Sequence, residues 1–207
     1  MNNLEWQARV DTAALYRLIA LEGWDDLIGT HVSARIPGDE HRFLLNPYGM
    51  LFEEITASNL LTVDLDGNQL TTSDYAFNRA GFTIHSAVHM NRDDAVFVIH
   101  LHTDYGIAVS CQEDGLKPLN QTAIAVYSDL AYHDYEGVAT NLAERERLVE
   151  DLGAKNAMIL RNHGTMACGP NAGGAWQAIF RLERACRYQI LAESGSATTR
   201  SLSVDII

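Results

Sequence analysis

Residues 95–101 read Ala-Val-Phe-Val-Ile-His-Leu, a nearly continuous apolar run closed by His102. The length suits a strand, and the run is rich in β-branched and aromatic side chains. It therefore predicts a strand covered on both faces. Such a strand sits inside a sheet with helices packed against each side. This one segment sets the architecture, and the rest of the chain must supply the layers.

The remaining pattern does so. Ala157–Leu160 is a second predicted buried strand. Nearer the start, His31–Ile36 alternates and stops at Pro37-Gly38, and Phe43–Leu45 stops at Asn46-Pro47-Tyr48-Gly49. Leu60–Leu65 closes on Asp66-Gly67, a hairpin-turn dipeptide. A helix is predicted over 4–22, with Trp6, Val10, Ala14, Leu18 and Leu21 on its inward face and Gly23 as its stop. Thr56–Asn59 reads as one helical turn capped by Thr56. Further helices are predicted over 81–91, with Phe82, His85 and His89 sharing a face, over 103–111 and over 141–152. The last runs from an Asn171 cap to about Glu193, with Ala175, Ile179, Leu182, Cys186 and Ile190 inward. Residues 112–140 carry strand-like pieces at Ala123–Tyr127 and Ala131–Tyr135. No repeat, low-complexity stretch or linker interrupts the chain. A single domain over 1–207 is expected, with a loose tail after about 195.

Composition narrows the function classes. Asp and Glu number 27 against 15 Lys and Arg, for a net charge of −12. Such a surface repels phosphate backbones and anionic membranes, so neither nucleic acid nor membrane is an expected partner. No apolar run approaches the roughly 18 residues that span a bilayer. Cys111, Cys168 and Cys186 form no Cys-x-x-Cys pair, which argues against a zinc ribbon or a redox dithiol. Scattered thiols fit a reducing compartment. The opening Met-Asn-Asn leads into a helix carrying Glu5, Arg9 and Asp11 rather than a secretory signal. A cytoplasmic location is expected.

His100 and His102 stand two apart on the key strand, so their rings share one face and can bite one cation. Neutral imidazole is a common ligand for zinc, manganese, iron and cobalt. Two ligands do not close a site; a catalytic zinc takes three from the protein and keeps a position open. His163 is the third candidate. It lies in Arg161-Asn162-His163-Gly164, just past the strand ending at Leu160. Taken singly, each histidine is equally compatible with a core imidazole satisfied by a backbone hydrogen bond. Spacing alone leaves both readings open.

In combination, Thr30–Arg35, Asn46–Gly49, Val98–Thr103 and Arg161–Gly164 resemble the class II aldolase/adducin family, over about Leu15–Glu193. Ala80–Ala87 and Ala131–Tyr135 are similar to the adducin-head branch and its bacterial relatives. The resemblance implies an α/β fold, a three-layer αβα sandwich around a mostly antiparallel mixed sheet. It implies a divalent cation on His100, His102 and His163, zinc first, with manganese or another transition metal as the alternatives. It also implies a small-molecule substrate and a homotetramer with sites near subunit contacts.

The pattern departs from the aldolases at Gly81, where they carry a glutamate ligand or base. It departs again at Arg79, Ala80 and Tyr48, where they place small hydroxyl residues that hold a substrate phosphate. Standard sugar-phosphate cleavage is therefore not expected. The expected function is a metal-dependent carbon–carbon lyase, aldolase- or decarboxylase-like, acting on a small hydroxy or keto acid through a metal-stabilised enolate. The alternative is a catalytically silent, adducin-head-like oligomerisation module. A metal hydrolase is disfavoured, because no His-Glu-x-x-His spacing occurs.

Three candidate catalytic residues accompany the metal ligands. His85 lies one helical turn from Gly81 and is a possible fourth ligand or acid/base. His31 falls where the aldolases often carry an asparagine near the substrate. Tyr135 is a candidate proton donor, with Tyr132 and His133 beside it. For each, a buried or packing role is the competing reading. Arg79 would pair either a substrate carboxylate or a surface acid.

Overall fold

The computed structural model describes residues 2–38, 41–138, 142–200 and 202–203. Strands β1 (His31–Arg35), β2 (Arg42–Leu45), β3 (Leu61–Asp64), β4 (Phe97–Leu101), β5 (Leu130–His133), β6 (Ala157–Leu160) and β7 (Gly164–Gly169) form one sheet. Their order is β3-β2-β1-β4-β7-β6-β5. Every pairing is antiparallel except that of β5 with β6. The sheet is thus mixed and mostly antiparallel, as expected, and the apolar run becomes the central strand β4.

Helices α1 (Asn3–Glu22), α2 (Arg79–Asn91), α3 (Asp104–Ser110), α4 (Gln121–Tyr127), α5 (Glu144–Leu152) and α6 (Ala172–Glu193) make the outer layers. Helices α1, α3, α4 and α6 cover one face, over a core holding Leu15, Ile19, Ile99, Leu101, Ile159 and Ile179. Helices α2 and α5 cover the other, over Ile84, Val88, Val98, Leu148, Met158 and Met166. Alternation along β4 divides these cores, with Ile99 and Leu101 facing one way and Val98 the other. His100 therefore faces the α2 side. Among the described residues no helix is long and apolar enough to cross a membrane.

Three expectations are corrected. Ala123–Tyr127 is helical, not extended: the Asn120 side chain accepts from the Ala123 amide and starts α4. Its buried residues, Ala123 and Val126, stand at helical spacing. Strand β7 was not foreseen, yet it lies fully buried between β4 and β6. Its sequence is bounded by glycines and has no long apolar run. Gly164 is required there, because a Cβ would press into the Leu101 carbonyl and stand 3.0 Å from the His102 ring.

The third correction concerns α1. Trp6, Val10, Leu18 and Leu21 do not face inward; they are 43%, 39%, 37% and 80% exposed. The helix buries Ala8, Arg9, Thr12, Leu15, Tyr16 and Ile19 instead. The polar members of that face are tolerated because each finds partners. Arg9 donates to the Leu60 carbonyl and the Thr62 hydroxyl, both at 2.9 Å. The Val32 amide donates to the Tyr16 hydroxyl at 2.7 Å. The helix predicted over 141–152 is observed from Glu144, and Asn141 lies outside the described residues.

Candidate metal centre

The antiparallel register sets His31 of β1 opposite His100 of β4. His102 follows just past the strand end. The Nδ1 atom of His100 is 2.9 Å from the Thr165 carbonyl oxygen. A carbonyl only accepts, so Nδ1 carries the proton and Nε2 is left as a bare lone pair. The Nδ1 atom of His102 is 3.0 Å from the Asp26 carboxylate, so it too carries its proton there, and the neutral form of the ring turns a bare Nε2 toward His100. The two Nε2 atoms stand 2.9 Å apart. In the neutral rings two lone pairs held that close repel each other, and a cation between them would turn the repulsion into ligation.

His163 completes the set from the turn joining β6 to β7. Asn162 takes a left-handed conformation there, φ 55°, which asparagine tolerates better than most residues. The His163 ring centre lies 4.8 Å from that of His100 and 4.9 Å from that of His102. One ligand atom from each histidine falls within 4.8 Å of the others. Burial holds His100 well below the usual imidazole range, and with its neighbours it lowers His163 to about 4. Both rings are thus neutral, the form that binds metal, at ordinary pH. The donor set of three nitrogens fits a borderline transition metal with an open position.

A cavity of about 230 Å³ opens on the triad, lined also by His31, Ala80, Ile84 and Tyr135. Tyr135 is half-exposed, its ring 6.3 Å from that of His163. His31 stacks on His100 with ring centres 5.3 Å apart. His85 does not line this cavity. It lies one ring behind, fully buried, with Nε2 3.1 Å from Nδ1 of His31 and Nδ1 2.5 Å from the Ser33 hydroxyl. Gly81 explains how His31 fits: a Cβ there would stand 2.5 Å from both Nε2 and Cδ2 of its ring. The imidazole occupies the space a side chain at 81 would need.

The other candidates serve the fold. The Tyr132 hydroxyl accepts from the Leu116 amide, and the Arg161 guanidinium lies over its ring. His133 is buried and pairs with Asp151 at 2.7 Å. Arg79 reaches the Gly67 carbonyl and lies over Phe77. Sequence reasoning missed the groups that orient the ligands, Asp26 and Thr165. Nothing in a loop aspartate or a strand threonine marks them. It also missed Ser33, although His31 and Ser33 share a strand face and His85 and His89 a helix face. Behind the site, Glu183 of α6 accepts from the hydroxyls of Thr103 and Thr165. Its burial outweighs those two donors and raises its carboxyl to about 7.

Comparison with known proteins agrees with this geometry. Residues 10–190 match the family described as Class II Aldolase and Adducin N-terminal domain. A putative aldolase class 2 protein of Caulobacter vibrioides is 60% identical over 194 residues, 94% of this chain and 76% of that protein. The crystal structure of an aldolase II superfamily protein from Pseudomonas syringae superposes with a TM-score of 0.96. It is 50% identical, covering 100% of this chain and 84% of that one. L-fuculose 1-phosphate aldolase from Glaciozyma antarctica PI12 is 30% identical with a TM-score of 0.86, over 96% of this chain and 78% of that one.

Proposed function

Because the chain belongs to the class II aldolase and adducin family, we propose that it is a divalent-metal-dependent carbon–carbon lyase acting on a small, non-phosphorylated hydroxy or keto acid. The observation that carries this reading is the pair of Nε2 atoms of His100 and His102, 2.9 Å apart, with His163 beside them. Their outer hydrogen bonds hold them as ligands before any ion arrives. Zinc suits three imidazoles. When bound, the cation supplies a Lewis acid that stabilises an enolate as the carbon–carbon bond breaks.

The chain's own residues divide the remaining work. Ala80 and Ile84 give the cavity an apolar wall without the hydroxyls a phosphate would need. His31 stands at the cavity as the polar group nearest the triad, and His85 acts through it. Tyr135, which lines the cavity at its exposed side, would give a proton to the product carbanion. The assembly is a homo-oligomer, a tetramer by family resemblance, and the three free cysteines suit the cytoplasm. A silent oligomerisation module is the second reading, favoured by the missing side chain at Gly81 and by the exposed apolar face of α1.

Metal content of protein purified without chelator separates the two. The lyase reading expects about one divalent ion per chain, lost in the His100→Ala/His102→Ala variant while its circular dichroism is retained. Turnover of a member of a hydroxy- and keto-acid panel would follow. Protein that holds no ion and takes up none from zinc or manganese would reject the lyase and leave the module.

A further inference from the structure

Helix α2 walls the cavity, yet its polar side chains are engaged elsewhere. Arg79 reaches the Gly67 carbonyl and lies over Phe77. The Thr83 hydroxyl donates to the Arg79 carbonyl, and that of Ser86 to the Phe82 carbonyl. The other guanidiniums on this side of the sheet are occupied too. Arg35 donates to the carbonyls of His89 and Arg92 and pairs with Asp93. Arg145 lies over Phe82.

What α2 turns to the cavity is apolar. Ala80 and Ile84 stand four residues apart, so they share a face of the helix, and both line the cavity. Ile84 is 2% exposed and belongs to the buried cluster of Val88 and Val98, so the core holds its side chain in place. Among the described lining residues the polar side chains are the histidines and Tyr135. None is a lysine, arginine, aspartate or glutamate.

This lining divides a bound acid into a head and a substituent. A carboxylate taken out of water needs a compensating charge, and inside this cavity only a cation on the three histidines offers one. The head therefore belongs at the triad. The substituent then lies against Ala80 and Ile84, where a hydroxyl or a second charge would lose water and gain no partner. Size sets the upper limit. The cavity measures about 230 Å³, and one of about 150 Å³ takes benzene. The remainder is room for a two-carbon acid head.

We infer that Ala80 and Ile84 are specificity-determining residues, and that the acid bound here carries one apolar substituent, from a methyl group up to a phenyl ring. The placement of the head rests on the metal-site reading proposed above, whereas the apolar wall does not.

The test is calorimetric titration with glycolate, lactate, mandelate and glycerate, after zinc loading and a measurement of zinc content. Lactate is expected to bind about fourfold more tightly than glycolate, the gain from burying one methyl group, and mandelate on the order of tenfold more tightly. Glycerate, whose substituent carries a hydroxyl, is expected to bind no better than glycolate. In protein labelled with ¹³C at the isoleucine δ1 methyls, the mandelate ring current is expected to shift the Ile84 resonance. Ala80→Leu fills the space beside Ile84 and is expected to lower the mandelate-to-glycolate affinity ratio about tenfold. Ile84→Thr puts a hydroxyl into the wall and is expected to move the preference from mandelate toward glycerate. Zinc-loaded protein that binds glycerate as tightly as mandelate, binds mandelate with Ile84 unmoved, or binds none of these acids would overturn the inference and leave the metal site standing. An unchanged ratio in a folded Ala80→Leu protein would do the same. Protein that takes up no zinc but still shows the mandelate shift at Ile84 would reject the metal reading and keep the apolar wall. Neither zinc nor shift would reject both.

Discussion

At the residue scale the site turns on a pair fifty positions apart. His31 cannot swing freely, being bonded to His85 and stacked on His100. A Cβ at position 81 would stand 2.5 Å from its ring, so Gly81→Ala must displace it. Overpacking of this kind costs about 1–3 kcal/mol. In the first turn of α2 the same change otherwise gains up to about 1 kcal/mol, the helix-interior value, because alanine is the better helix former. Gly81→Ala is therefore expected to destabilise the protein alone and to become neutral or stabilising in a His31→Ala background. Urea denaturation of the four proteins closes the cycle, and an equal cost in both backgrounds would show that the two residues do not compete for space. In the sequence, Gly81 reads only as a loss of the family's carboxylate. The candidate metal ligands could be picked out because two of them lie two residues apart at the end of one strand. The His31–Gly81 contact was not, because nothing local reports a contact between a strand and a helix.

At the element scale, Glu183 ties α6 to the start of α3 and to β7. Thr103 donates to it while accepting from the Gly106 amide, and so caps α3. Thr165 also donates to it, and the Thr165 carbonyl holds His100. The folded pKa of about 7 lies above the ordinary 4.5. Stability from the neutral carboxyl is thus fully present below about 4.5 and is lost as pH rises through 7. The slope is about 1.4 kcal/mol per pH unit inside that window. His89, lowered to about 3, and His163, lowered to about 4, act in the opposite sense, removing stability as pH falls below the usual imidazole value. They cancel when wild type is compared with Glu183→Gln. Denaturation of the metal-free proteins between pH 5 and 8.5 is expected to show Glu183→Gln gaining on wild type as pH rises, by up to about 3 kcal/mol. Parallel curves would mean that Glu183 is ionised throughout. Elements such as β4 and β6 were legible because an unbroken apolar run has few other uses. Strand β7 was not, since glycine and small residues suffice between two strands that already exclude water. Helix α4 was misread because Ala-Ile-Ala-Val-Tyr suits either period, and only the Asn120 cap decides it.

For the whole molecule, the apolar periodicity of α1 was read correctly as a stripe and assigned to the wrong partner. Period shows which residues share a face, not what covers that face. Trp6, Val10, Leu18 and Leu21 emerge on the outside, while a face containing Arg9 and Thr12 packs inward. Contiguous exposed apolar patches mark interaction sites. The proposed homo-oligomer supplies a partner, a second copy of this chain. A net charge of −12 makes two copies repel at long range, so association must rest on apolar burial and should strengthen with salt. Val10→Glu/Leu18→Glu adds charge to the stripe without touching the inward face. Sedimentation velocity is expected to give the wild type as a single species larger than the 22.9 kDa chain. The variant should shift toward the monomer while keeping its circular dichroism and its zinc content. A monomeric wild type would reject the homo-oligomer. A variant that sediments like an oligomeric wild type would keep the oligomer and remove α1 from its interface. Loss of zinc together with dissociation would show that the site needs the assembled molecule, since Asp26, which orients His102, lies four residues past the end of α1.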